Sequence, residues 1–484
     1  MDKTGIILLG LGPGDAALLT RQAWEVLQNT PEIYVRTRQH PALAGFPGTV
    51  QVFSFDDVYE RSQTFEEVYA QIVEKVLTLG RRPQGVVYAV PGHPFIAEAT
   101  PREIARRARL EEIPVLVVEG LSFLEATFAA LGEDPLPHTA LVDALELVTT
   151  HVPPFPADAP ALIVQVYSRQ VASEVKLTLM EVYPDEHPVR LVHAAGTAEV
   201  QVEALPLYEI DRSREVGLLT TLYVPPLGAG TSLEAFQEIV AHLRAPNGCP
   251  WDREQTHQSL RSSLLEETYE VLAALDADDP VSLQEELGDL LLQIVLHAQI
   301  ANEYGEFALA EVIRGIHTKI IARHPHVFGD VQVEGVKGVL RNWEALKAAE
   351  RKANGKEHTS TLDGVPRALP ALAQAEQYTS RAARLGFEWP GLEDVQRKVF
   401  EELDEIQQAQ SPEEIAKEVG DLLLAAVDLA RFYKVEAESA LRDANARFKK
   451  RFTFIEEQAR LSGRKVPDLS LDEMLTLWEQ AKSQ

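Results

Sequence analysis

The hydrophobic rhythm of the chain changes once, near residue 225. Before that point, short runs of apolar and β-branched residues alternate with stretches of helical spacing. Residues 5–9, 86–90, 115–118, 161–166 and 218–224 read as strands, and 18–27, 65–79, 101–109 and 122–131 as helices. Strands alternating with helices predict an α/β domain with a partly parallel sheet. Pro225, Pro226, Gly228 and Gly230 then break the pattern and mark a boundary. From residue 233 onward, apolar positions recur at spacings of three and four, as at Leu260, Leu264, Leu265, Tyr269 and Leu272, and predict helix almost throughout. A polar stretch over 351–364 divides this half. The expected architecture is therefore multidomain, with an α/β domain over 1–224 and two all-α helical-bundle domains over 233–350 and 364–484.

The two helical parts repeat one pattern. Glu266-Glu267-x-x-Glu270 precedes Glu286-Leu287-Gly288-Asp289-Leu290-Leu291-Leu292, and Glu401-Glu402-x-x-Glu405 precedes Glu418-Val419-Gly420-Asp421-Leu422-Leu423-Leu424. The interval from Glu266 to Glu401 is 135 residues and that from Glu286 to Glu418 is 132, which predicts an inter-helix loop three residues shorter in the second copy. Two copies of helix length indicate duplicated domains. Glu267 and Glu270 share one helix face, as do Glu286 and Asp289. A short connection makes the two helices antiparallel neighbours, so that four carboxylates converge. The second helix is apolar around most of its circumference, and burying charge against such a surface costs several kcal/mol unless it is compensated. A hard divalent cation removes that cost, and an all-oxygen ligand set suits Mg²⁺ or Mn²⁺. Gly288 and Gly420 sit mid-helix, where glycine costs about 1 kcal/mol relative to alanine; a close helix approach beside the metal would account for both. One such acidic stretch alone is an ordinary solvated face. Its duplication with the same downstream sequence is what argues for chemistry.

Charge and composition narrow the partners. The 484-residue chain carries a formal charge of −28, which disfavours a nucleic-acid backbone or an anionic membrane as its partner. A small anionic substrate held through metal ions remains compatible. A single cysteine, Cys249, fits a reducing compartment. The absence of a signal-like segment and of a long apolar run predicts a cytoplasmic, soluble protein.

Residues 233–484 resemble the MazG family of nucleoside triphosphate pyrophosphohydrolases in its tandem-domain form. The resemblance rests on Asn247-Gly248-Cys249-Pro250-Trp251-Asp252-x-x-Gln255-Thr256-His257, on Gly386-Phe387-x-Trp389-Pro390, and on Asn445-x-x-Phe448-x-x-Arg451-Phe452. It implies a helical bundle, a homodimer, and hydrolysis of NTPs to NMP and pyrophosphate with Mg²⁺. By motif, the metal ligands are Glu402, Glu405, Glu418 and Asp421, with Glu267, Glu270, Glu286 and Asp289 as equivalents in the first copy. Glu401 would be free to accept a proton from water. Asn445, Arg447, Arg451 and Trp478 would meet the nucleotide, although a core or interface aromatic is an equal reading of Trp478. In the first copy Lys319 and Arg323 stand in for the arginines, but His317 replaces the asparagine. The fuller set makes the second copy the expected catalytic one.

In the N-terminal part, Gly10-x-Gly12-Pro13-Gly14-Asp15 follows the first strand and leads to a helix beginning near Ala16. With Leu18-Leu19-Thr20-x-x-Ala23, Pro91-Gly92-His93-Pro94 and Glu119-Gly120-Leu121-Ser122, it resembles the S-adenosylmethionine-dependent tetrapyrrole (corrin/porphyrin) methylases. That family implies two α/β subdomains with the cofactor between them, near Pro13, Gly14, Gly92 and Ser122. His93 stands where the family usually has aspartate. The combination with tandem helical domains resembles the YabN-type proteins. The alternative to a pyrophosphohydrolase is a methyltransferase whose helical half only dimerises.

Overall fold

The computed structural model describes residues 5–482 except 63, 337, 340, 341, 344, 345 and 348–359. The expected end of the first helical domain at Glu350, and most of the polar stretch after it, lie outside the described residues. The chain forms two compact units, 1–254 and 255–484.

In the first unit, β1 (Ile6–Gly10), β2 (Glu32–Val35), β3 (Gln51–Ser54), β4 (Val86–Val90) and β5 (Val115–Val118) form a parallel sheet in the order β3-β2-β4-β1-β5. Every residue of β4 is buried, and a strand covered on both faces reads as an unbroken apolar run rather than an alternating one. Around this sheet lie α1 (Arg21–Gln28), α2 (Phe65–Gly80) and α3 (Ala99–Leu110). A short 3₁₀ turn occupies Ala16–Leu18, and α1 starts only at Arg21. The later start reflects two consecutive caps: Asp15 accepts from the backbone of Ala17, and the Thr20 hydroxyl accepts from that of Ala23 at 3.1 Å.

After α4 (Phe123–Leu131) a second sheet follows, formed by β6 (Ala140–Asp143), β7 (Ala161–Val164), β8 (Pro188–His193), β9 (Gln201–Pro206) and β10 (Thr220–Val224) in the order β6-β7-β10-β8-β9. Only β6 and β7 pair parallel in it. Helix α5 (Arg169–Met180) packs into its core, and α6 (Leu233–Arg244) is grouped with this unit.

Behind β2, Arg36 pairs with Glu98, whose side chain is 6% exposed. The Arg36 Nε also donates to the Tyr59 hydroxyl at 2.8 Å, and the guanidinium lies over the Tyr59 and Tyr69 rings. The paired carboxylate drives the arginine pKa up against the opposing effect of its burial.

The second unit is helical: α7 (Arg261–Asp276), α8 (Pro280–Glu303) and α9 (Leu309–Arg323), then α10 (Ala371–Arg384), α11 (Leu392–Gln408), α12 (Pro412–Phe432), α13 (Ala437–Leu461) and α14 (Leu471–Lys482). The hairpins α7–α8 and α11–α12 are the two copies of the repeat. The repeat extends to their caps, since Asp279 caps α8 ahead of Pro280 and Ser411 caps α12 ahead of Pro412. The predicted difference in loop length is not found, because residues 277–279 and 409–411 are equally long connections. Instead α7 runs on to Asp276 beyond Glu270 while α11 ends at Gln408, just beyond Glu405. The three residues are nearly one helical turn, which lengthens the hairpin arm and leaves the carboxylate face pointing the same way. Arg442 of α13 joins the copies through Asp276, at 3.0 Å.

His257 stacks on His297 of α8, with the two Nδ1 atoms 2.8 Å apart. One ring must donate and the other accept, so this geometry cannot hold two protonated rings. Burial, and then the neighbouring His257, holds the His297 pKa below 6.5. A depressed histidine favours the folded state above its unfolded pKa, and that contribution is lost as pH falls from about 6.5 toward the folded value. His297→Asn is therefore expected to flatten the decline in melting temperature between pH 7.5 and 5.5. An identical slope in the variant, measured by scanning calorimetry, would remove the pair as its origin.

Candidate functional site

In the second copy, the α11–α12 hairpin places carboxylate oxygens of Glu402, Glu405 and Glu418 within 4.8 Å of one another. Glu402 is 3% exposed, and its Oε2, like that of Glu418, is buried without a hydrogen-bond partner. A buried unpaired carboxylate oxygen is costly, and its position suits a cation. Asp421 lies outside the tight trio, 3.5 Å from the Lys417 ammonium. Lys417 also holds Glu418 at 2.8 Å and pulls its pKa below the usual carboxylate range. Lys398 lies 2.7 Å from both Glu401 and Glu402. Burial, then the Glu402 charge, pushes the Glu405 carboxyl up.

The first copy repeats the trio with Glu267, Glu270 and Glu286, also within 4.8 Å. Asp289 is again outside it, yet close enough that its charge, after burial, raises the pKa of Glu267. Glu286 is raised by burial and by Glu270. Each hairpin thus brings together three of the four expected carboxylates, with the aspartate at the rim.

Two expectations about α8 and α12 change. Their apolar residues do not all face a core: Leu287, Leu291 and Ile294 are exposed, as are Ile415, Val419 and Leu423. At spacings of three and four, each set forms one stripe along its helix. Nor is there a close helix approach at Gly288 or Gly420, since a Cβ at either would meet nothing within 4 Å.

Of the expected nucleotide residues, Asn445 and Arg447 are exposed on α13, while Arg451 and Trp478 are half-buried. The Arg451 guanidinium lies over the Trp478 ring, 5.4 Å from its centroid, and Phe448 packs against the same indole. Trp478 thus belongs to the packing between α13 and α14 and also presents a cation. Sequence reading overlooked its counterpart in the first copy, where Arg323 lies over Trp343 at 5.6 Å and Lys347 at 4.6 Å. The signal was present, because Trp343 precedes Trp478 by the same 135 residues as Glu266 precedes Glu401.

In the first unit, the ends of β1, β4 and β5 converge through glycines. A Cβ on Gly10 would stand 2.5 Å from the Gly120 nitrogen and 2.6 Å from the Gly92 oxygen. Gly12 and Gly92 form a bridge between their loops. Beside them lies a cleft of about 560 Å³ lined by Pro13, Asp15, Ser122, Glu125, Gly196 and other residues. Pro13 and Ser122 thus line the cleft. Gly14 packs on Thr197, where a Cβ would come within 2.6 Å of Cγ2, and Gly92 takes a left-handed φ of +65° behind Ser122. Ser122 caps α4, accepting from Leu124 at 3.1 Å, and donates to Glu125. His93 is used locally, its Nδ1 accepting from the Phe95 backbone at 3.1 Å. Gly10→Ala is expected to cost the first unit about 1–3 kcal/mol through overpacking. Unchanged melting of that unit in calorimetry would show that the strand ends can spread.

Comparison with known proteins agrees with this division. The family model described as the MazG nucleotide pyrophosphohydrolase domain matches residues 255–328, and that for tetrapyrrole (corrin/porphyrin) methylases matches 5–211. The Bacillus subtilis protein YabN, described as uncharacterized, is 43% identical over 99% of this chain and 98% of its own. The nucleoside triphosphate pyrophosphohydrolase/pyrophosphatase MazG of Thermotoga maritima is 42% identical over 52% of this chain and 97% of its own. The Escherichia coli K12 nucleoside triphosphate pyrophosphohydrolase is 43% identical over 51% and 95%, respectively. With its repeated helical hairpins and its glycine-closed α/β unit, the chain belongs to the YabN-type family, in which a tetrapyrrole methylase-like domain precedes a MazG nucleotide pyrophosphohydrolase half.

Proposed function

We propose that the helical half hydrolyses nucleoside triphosphates, ribo or deoxy, to the monophosphate and pyrophosphate with Mg²⁺ or Mn²⁺. The observation that carries this reading is the buried, unpartnered oxygens of Glu402 and Glu418 beside Glu405. That donor set fits a hard cation. Glu402, Glu405, Glu418 and Asp421 would hold it, as would Glu267, Glu270, Glu286 and Asp289 in the first copy. Bound there, the cation would neutralise phosphate charge and lower the pKa of a water. Glu401, paired with Lys398 at 2.7 Å rather than free, would be the carboxylate to accept a proton from water. Arg447 and Arg451 supply fixed positive charge to the triphosphate. Asn445 offers hydrogen bonds to sugar or base, and Trp478 an aromatic edge.

Our reading has three domains, 1–224, 233–350 and 364–484, with the second helical copy catalytic. The stripes on α8 and α12 would be covered by a second copy of the chain, making a homodimer in the cytoplasm. Among the described residues no helix is long and apolar enough to cross a membrane. The test is to incubate the full chain with Mg²⁺ and a panel of NTPs and dNTPs. Equal yields of monophosphate and pyrophosphate are expected; diphosphate with orthophosphate, or no turnover, would refute the assignment.

A second reading concerns the cleft bordered by Pro13 and Ser122, which we assign to S-adenosylmethionine or a related adenosyl ligand. The support is a closed glycine floor beside the capped start of α4. Calorimetric titration with S-adenosylhomocysteine should show one site per chain, and no heat would remove the assignment.

A further inference from the structure

The two carboxylate clusters differ in what neutralises them. In the second, Lys398 bridges Glu401 and Glu402, with its ammonium 2.7 Å from each. Lys417 reaches Glu418 at 2.8 Å and Asp421 at 3.5 Å. Four of the five acids of the motif, Glu401, Glu402, Glu418 and Asp421 but not Glu405, thus share two resident cations. In the first copy the matching positions are Ser263 and Glu285. Around Glu266, Glu267, Glu270, Glu285, Glu286 and Asp289, residues 262–303 contain no lysine or arginine, and Arg261 stands alone at the start of α7.

A cluster without internal cations attracts a divalent ion by its full charge, whereas one already holding ammonium groups must release them first. Lys398 is the stronger obstacle, because its side chain is 30% exposed and Glu402 lies beneath it; Lys417, at 70%, is the weaker. Yet Glu402 keeps one oxygen buried and unpaired, so the lysine leaves the cluster unfinished. A triphosphate completes the exchange, since its oxygens can accept the ammonium groups that the carboxylates give up as the metal enters.

We propose that Lys398 and Lys417 make uptake of the divalent cation at the second copy dependent on a triphosphate, whereas the first copy takes up the cation alone. This rests on the pyrophosphohydrolase reading of the second copy. The lysines are resident counter-ions of the empty cluster and phosphate ligands of the filled one.

The test counts Mn²⁺ bound to the full chain from the electron paramagnetic resonance signal of the free ion. It is done with and without α,β-methylene ATP, whose α–β bridge is not hydrolysed. Without nucleotide, wild-type binding should be lost in E267Q/E286Q and kept in E402Q/E418Q. Adding the analogue should reveal further sites that E402Q/E418Q removes. In K398Q/K417Q the second-copy sites should fill without nucleotide, with affinity raised roughly tenfold. Retained first-copy binding in that variant shows that it is folded. Filling of the second-copy sites in wild type without nucleotide would overturn the proposal and leave the catalytic reading standing, as would an unchanged nucleotide requirement in K398Q/K417Q. No Mn²⁺ bound in either state would overturn both.

Discussion

Glu402→Gln is expected to lower pyrophosphate release by roughly 10²–10³-fold, the range found when one preorganised charge-stabilising group is removed from an active site. The carboxylate is 3% exposed, has one oxygen without a partner, and lies with Glu405 and Glu418 in a trio spanning 4.8 Å. Glutamine keeps the shape and one acceptor but loses the charge that would hold a cation. The change should not weaken the fold. In metal-free protein it relieves the repulsion of two neighbouring carboxylates while giving up the Lys398 ion pair, so the melting temperature of the helical unit is expected to stay level. Activity therefore falls while stability holds, which separates lost chemistry from lost structure. Rates measured with saturating Mg²⁺ alongside a calorimetric scan decide the matter, and near-wild-type turnover would place the reaction elsewhere. Glu405→Gln serves as the comparison, because Glu405 is exposed and belongs to the same trio.

The second large effect is expected in the α/β unit. Glu98→Ala leaves the Arg36 guanidinium inside the fold with the Tyr59 and Tyr69 hydroxyls and their two ring faces around it, and no carboxylate. Breaking a buried pair by removing one partner costs about 3–5 kcal/mol, because the remaining charge is uncompensated. At about 2–4 °C per kcal/mol for a unit of this size, its melting transition should fall by roughly 6–20 °C. Removing both charges with Arg36→Met and Glu98→Leu should recover most of the loss, since an apolar pair of similar volume avoids the desolvation of both ions. The helical unit's transition should not move in either variant. A single variant with wild-type melting would mean that water reaches Arg36 and that the pair contributes little.

The chain's own pattern was enough to place most elements, for definite reasons. Strand β4 is an unbroken apolar run because both its faces are covered, and a five-residue stretch of that kind bounded by glycine is hard to read otherwise. The helical hairpins were legible because their carboxylates recur at fixed spacing on two adjoining helices, and spacing along a helix is geometry. Errors arose where periodicity carries no information. The late start of α1 depends on the successive caps at Asp15 and Thr20. The three-residue difference between the copies was assigned to a loop, although nearly one full turn of helix absorbs it without rotating the face. Trp343 was overlooked because its partner Arg323 lies twenty residues earlier, on another helix.

The sequence alone thus determined the α/β and helical halves and the duplicated acidic motif with its all-oxygen side chains, because residue type and helical period suffice for these. Tertiary structure decided which three carboxylates of each set converge, and that the apolar stripes of α8 and α12 lie exposed. It also decided which carboxylates Lys398 and Lys417 reach. Those outcomes depend on how two helices lean together and where long side chains reach, which no spacing along a single chain specifies.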